Sequence, residues 1–142
     1  MELKFKKLTP AATLPTYGTK GAACFDLYAL EGGAVLPGGA TTVRTGLAVE
    51  VPEGHAMMVY SRSGHGFKNG LRLSNGTGVI DSDYRGEIMV RLHNDGQAAY
   101  EVQVGERIAQ AMVIPVLQVQ VTETDELGQT ERGEGGFGST GK

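Results

Sequence analysis

The chain has 142 residues, 40% of them hydrophobic, which is enough for one domain with its own core and too little for two. Sixteen acidic and 13 basic side chains give a net charge of −3, so there is no strongly basic field of the kind that holds nucleic acid non-specifically. Cys24 is the single cysteine, which excludes an intrachain disulfide and any Cys-based zinc centre, while 22 glycines and no tryptophan suit a turn-rich β fold.

The N-terminus alternates Lys4, Lys6 and Lys7 with Leu3, Phe5 and Leu8, without a continuous apolar core. It reads as a first strand rather than a signal peptide, and the protein as soluble and cytoplasmic, in a reducing compartment, with no membrane partner. After Pro10, Pro15 and Gly21 comes the apolar run 22–29, whose one carboxylate, Asp26, lies in a mostly dry neighbourhood and needs a donor. Arg62 is a candidate for that donor. Turns at Gly32-Gly33 and Pro37-Gly38-Gly39 flank Val35, then residues 41–51 alternate as one strand, Pro52-Glu53-Gly54 turns the chain, and 55–60 form another.

Residues 61–70, Ser-Arg-Ser-Gly-His-Gly-Phe-Lys-Asn-Gly, break the alternation and leave room for one short helical turn. Backbone N–H groups, the Ser63 hydroxyl and the planar fork of Arg62 suit phosphate oxygens there, although by itself the stretch reads as a solvated loop. The next stretch organises the chain: Gly78-Val79-Ile80-Asp81-Ser82-Asp83-Tyr84-Arg85-Gly86-Glu87. Apolar residues lead in at 79 and 80 and out at 88, 90 and 92, the pattern of a β-hairpin whose turn delivers two carboxylates and an aromatic ring. A carboxylate held at a strand end can orient a water and take its proton, and a ring three residues on can pack against a cyclic substrate.

Strands follow at 97–104 and, after Gly105-Glu106-Arg107, along the apolar run 108–121, bent at Pro115. Beyond 122 the hydrophobic pattern fades into a glycine-rich tail, which cannot pack as a core and alone resembles a linker. Its Arg132, Phe137, Ser139 and Thr140 are nonetheless the groups that a lid over a base and its phosphates would use.

Taken in order, five stretches resemble the five motifs of the trimeric deoxyuridine triphosphatase (dUTPase) family: residues 22–29, Arg62-Ser63-Gly64, 78–87, 105–110 and 132–141. The third and fifth are the specific ones. The resemblance implies an all-β, jelly-roll-like β-barrel with at most one short helix. It divides the chain into a barrel domain, 1–123, and a flexible C-terminal tail, 124–142. The implied assembly is a homotrimer with active sites shared between subunits.

The activity so implied is hydrolysis of dUTP to dUMP and diphosphate by water attack at the α-phosphorus, which keeps uracil out of DNA and supplies dUMP for thymidylate synthesis. Asp81 matches the catalytic carboxylate and Tyr84 the ring beneath the sugar that leaves no room for a 2′-OH. Asn75, Val79, Ile80 and Met89 match the uracil slot. Arg62, Ser63, Gly64 and Gln110 match phosphate contacts, Arg132, Gly138, Ser139 and Thr140 the closing tail, and Phe137 the ring that stacks on uracil. Asp26 matches a bracing residue behind the site, and Mg2+ is carried by phosphates and water rather than by protein ligands.

The sequence departs from the family at three places, with Cys24 for the usual Gly, Tyr60 where Pro often precedes Arg-Ser, and Glu106 where Asp is common. A nucleophilic role for Cys24 has no activating His in view. Two rivals remain at this level. One is a dCTP deaminase, which shares the Arg-Ser element but usually lacks the Phe-Gly-Ser-Thr-Gly tail. The other is a non-catalytic nucleotide sensor, for which Asp81 would be superfluous.

Overall fold

The computed structural model describes residues 1–139. Among these, twelve strands and one helix follow in order: β1 Lys4–Lys7, β2 Thr16–Tyr17, β3 Phe25–Tyr28, β4 Gly33–Val35, β5 Ala40–Arg44, β6 Leu47–Glu50, β7 His55–Tyr60, α1 Ser63–Asn69, β8 Leu71–Leu73, β9 Thr77–Ile80, β10 Met89–Asn94, β11 Tyr100–Val102 and β12 Arg107–Pro115. All pairings among them are antiparallel. The larger sheet runs β2-β3-β12-β7-β9, a second runs β5-β10-β8, and β1-β6 and β11-β4 form two-stranded ribbons. This is the all-β, jelly-roll-like architecture with one short helix.

Strands with one wet face keep the expected alternation, as in β10, where Val90, Leu92 and Asn94 point inward and Met89 and Arg91 outward. By contrast β3 is buried at Phe25, Asp26 and Leu27 in succession, because β2 and β12 flank it and the core covers it. Leu27, Leu47, Met57, Ile88 and Ile108, each at most 2% exposed, fill the space between the sheets.

Four expectations from the sequence need correction. Residues 41–51 are two strands, broken at Thr45-Gly46, where Gly46 takes φ +69° and an added Cβ would meet Ala12, Leu30 and Thr9 at 3.0–3.1 Å. The break lets β5 pair with β10 and β6 with β1. Residues 78–92 are not a hairpin, since β9 pairs with β7 and β10 with β5 and β8. Alternation on both arms reported two half-buried strands truly, but it carries no information about their partners. The strand expected over 97–104 shrinks to β11. The last strand stops at Pro115, leaving Leu117, Val119 and Val121 76–91% exposed.

Candidate active site

Three of the motif-bearing stretches meet because of strand register. Gln110 on β12 stands opposite Asp26 on β3 and, on its other side, opposite Tyr60 at the end of β7. Two residues past Tyr60, Arg62 caps α1 in an extended conformation and turns its side chain back to this row. Arg62 Nε donates to Asp26 Oδ1 at 3.0 Å, Arg107 Nη1 to Asp26 Oδ2 at 3.3 Å, and Arg62 Nη1 to the Arg107 carbonyl at 3.1 Å. Asp26, only 8% exposed, thus has its charge matched by two guanidinium groups. Gln110 Nε2 donates to the Ser61 carbonyl at 3.2 Å. Arg62, Ser63 and Gln110 line an open depression of about 360 Å³ with Phe67 and Arg72, while Gly64 lies exposed in the first turn of the helix.

A second cavity, of about 440 Å³, opens where β9 and β10 part toward their separate sheets. Asn75, Val79, Ile80, Asp81, Tyr84 and Met89 all line it. The connecting loop is held from several directions. The Tyr84 N–H donates to the Asp81 carbonyl at 3.2 Å, and its hydroxyl to the Glu87 carbonyl at 3.1 Å. A Cβ at residue 86 would fall on the Tyr84 ring and hydroxyl, so Gly86 is what allows the ring to fold over the loop. Glu87 accepts from Arg44 Nε at 3.0 Å and from the Gly46 N–H at 2.8 Å, which fastens the loop to the β5–β6 break. Thr45 Oγ1 adds a bond of 2.6 Å to the Ile88 carbonyl. Asp81 sits exposed at the mouth, its carboxylate available to solvent.

These two groups of residues lie apart in the chain. Asp81 follows Ile80, which pairs with Met57, whereas Arg62 lies two residues past Tyr60, which pairs with Thr77 at the other end of the ladder. Six residue steps of extended chain separate them by about 20 Å. Among the described residues the tail joins neither group. Phe137 is fully exposed with φ +41°, Arg132 Nε donates locally to the Gly135 carbonyl at 2.7 Å, and the Ser139 N–H to the Gly136 carbonyl at 2.9 Å. Gly138 takes φ +91° beside Phe137, and Thr140 lies outside the described residues.

Arg107 and Glu87 were not singled out from the sequence. Arg107 carried a signal, as a cation at the start of a strand beside the stretch bearing Gln110, but its reach to Asp26 depends on register across 81 residues. Glu87 gave none, because its partners Arg44 and Gly46 lie at the β5–β6 break, 43 and 41 residues away. Cys24 is poorly placed as a nucleophile, since burial and then the neighbouring Asp26 carboxylate push its thiol above the usual range.

A barrel with an open slot between splayed strands, a carboxylate at the mouth of that slot and a guanidinium-rich turn defines a small-molecule-binding β protein equipped for phosphate chemistry. The dUTPase family model matches residues 11–141, and the chain belongs to that family. It is 50% identical to the deoxyuridine 5′-triphosphate nucleotidohydrolase of Nautilia profundicola, over 100% of both chains. It is 46% identical to the enzyme of the same name from Hydrogenobaculum sp., over 99% of both. Among solved structures, the Staphylococcus bacteriophage 80alpha dUTPase with dUPNHPP superposes with a TM-score of 0.92 at 28% identity, covering 99% of each chain.

Proposed function

We propose that this protein hydrolyses dUTP to dUMP and diphosphate. The observation that carries the reading is the slot between β9 and β10, with Asp81 at its mouth and Tyr84 against its wall, in a chain of this family. Uracil enters the slot, where Asn75 and the strand backbone at Val79, Ile80 and Met89 meet its polar edge and the narrow walls reject a 5-methyl group. Tyr84 lies under the deoxyribose. Asp81 orients a water and takes its proton as the oxygen attacks the α-phosphorus in line, and diphosphate leaves from the opposite side. No covalent intermediate is needed.

Arg62, Ser63, Gly64 and Gln110 receive the phosphate oxygens, with Asp26 and Arg107 holding the guanidinium of Arg62 in place. Magnesium, bound to the substrate oxygens, would spread the charge that develops on the leaving diphosphate. The Ser63 hydroxyl and Gln110 amide suit the waters of such a complex. Among the described residues no group of three or more His, Cys, Asp or Glu side chains is placed to hold a metal ion.

A backbone separation of about 20 Å between Asp81 and Arg62 favours a site in which the two residues come from different chains. The complete site therefore combines the Asp81 slot of one subunit with the Arg62 turn of a neighbour in a homotrimer. Residues 1–123 form the barrel unit, and 124–142 form the tail that closes over a site, bringing Arg132, Gly138, Ser139 and Thr140 to the phosphates and Phe137 onto the uracil face. The full exposure of Phe137 in the single chain supports this, as an aromatic side chain that finds its partner elsewhere. Among the described residues no helix is long and apolar enough to cross a membrane, and we place the enzyme in the cytoplasm.

The test is diphosphate release from dUTP, dCTP, dTTP and UTP side by side, with and without Mg2+, for the wild type and Asp81→Asn. Release from dUTP alone, reduced about 10²-fold or more in the variant with dUpNHpp binding retained, is the expected result. Equal turnover in the variant refutes the role of Asp81, and ammonia release from dCTP refutes the reaction.

A further inference from the structure

Behind the phosphate turn lies a polar cluster that the reaction itself does not employ. His65 is the buried residue of α1, 8% exposed, where an aliphatic side chain would ordinarily pack. A buried imidazole needs partners, and it has them. Nε2 lies 2.8 Å from the Arg107 carbonyl and 3.3 Å from Glu106 Oε1. Both are acceptors, so Nε2 carries the hydrogen and donates.

Glu106 is held in turn. The Tyr100 hydroxyl donates to its Oε1, and the Gln103 N–H to its Oε2 at 2.8 Å. The Tyr100 ring stands edge-on to the imidazole, with centroids 5.5 Å apart at 87°. Burial, and after it the Glu106 carboxylate, push the Tyr100 hydroxyl up to about 12, so it remains a donor, while the Arg62 guanidinium pulls the other way. The departure from aspartate at residue 106 now has a physical reading, since the extra methylene carries the carboxylate out to Tyr100 and His65.

The link to the site is a single oxygen. The Arg107 carbonyl that accepts from His65 also accepts from Arg62 Nη1 at 3.1 Å. One acceptor thus collects a donor from the inner face of the helix and another from the residue that caps it. We propose that His65, backed by Glu106 and Tyr100, is a positioning residue of the phosphate-binding turn: it pins α1 to the start of β12 and so fixes Arg62 where the triphosphate oxygens arrive. This rests on the reading that Arg62 and its neighbours receive phosphate.

The test uses the full chain and calorimetric titration with dUpNHpp and, separately, with dUMP. His65→Leu fills the space without a donor, and His65→Gln restores an N–H of similar reach. In His65→Leu, dUpNHpp binding weakens about tenfold, as does KM for dUTP, while dUMP affinity shifts less than twofold, and His65→Gln regains most of the loss. A folded His65→Leu variant with wild-type affinity for dUpNHpp overturns the proposal. So does an equal loss for both nucleotides, which would mark general loosening, or a His65→Gln variant as weak as His65→Leu. If His65→Leu does not fold, Tyr100→Phe reads the same cluster from its other end, and unchanged dUpNHpp affinity there also overturns it. A wild-type protein that binds neither nucleotide overturns instead the dUTP reading beneath it.

Discussion

Replacing Asp26 by Asn removes one negative charge from between two guanidinium groups and sets an amide N–H₂ against donors. Of the two ion pairs lost, that with Arg62 is the stronger, at 3.0 Å and with side chains 23% and 11% exposed. A hydrogen bond to a charged partner in such surroundings contributes roughly 1.5–3 kcal/mol. The pair with Arg107, at 3.3 Å and with that side chain 49% exposed, falls toward the surface value of about 0.5 kcal/mol. Asparagine keeps one acceptor oxygen, so the net destabilisation is about 2 kcal/mol. At about 3 °C per kcal/mol for a chain of this size, Tm drops by about 6 °C. The released Arg62 also raises KM for dUTP, by about tenfold. Calorimetry at fixed protein concentration, together with diphosphate-release kinetics, measures both quantities. A Tm within 1 °C of wild type with unchanged KM refutes the argument that Asp26 organises the phosphate row.

Other consequences are as direct. Gly86→Ala places a methyl group where the Tyr84 ring lies, so kcat/KM for dUTP falls at least about tenfold while the far-UV spectrum stays that of the wild type; unaltered kinetics would show that the ring does not need to fold over the loop. Ending the chain after Glu131 removes Arg132 and Phe137 and is expected to lower kcat about 10²-fold with the wild-type elution volume retained, whereas a normal rate would make the tail a linker. Tyr100 keeps its proton to about pH 12 in the fold and loses it near 10 when unfolded. The folded state therefore binds more protons across that window, and the associated stability, complete below pH 10, is lost as pH rises toward 12. Denaturant titrations of Tyr100→Phe between pH 10 and 12 are expected to decline less steeply than those of wild type.

What was legible from sequence and what was not divide along a physical line. Strand β7, the short helix after Arg62 and the exposed tail were readable because local alternation, glycine spacing and loss of apolar pattern are properties of neighbouring residues. Pairing is not such a property. Val79 and Val90 alternate like the arms of one hairpin, yet they enter different sheets, and only the positive φ of Gly46 and the crowding around it reveal why the partner strand divides. Arg62 was recognisable as the donor for Asp26 because a buried carboxylate demands one. Glu87 was not, because an exposed-looking acidic residue after a turn gives no sign that it will clasp a distant strand end.

The row in which Gln110 stands between Asp26 and Tyr60 also bears on how the protein is made. Arg107 and Asp26, joined beside that row, are 81 residues apart in sequence, so no early fragment of the nascent chain can assemble this ion-pair cluster. Chain closure over such a span is slow, and β-sheets dominated by distant pairings fold in milliseconds to seconds rather than microseconds. During synthesis β3 must wait for its β12 partner until that strand has left the ribosome, and that interval is when a chaperone has the most to shield.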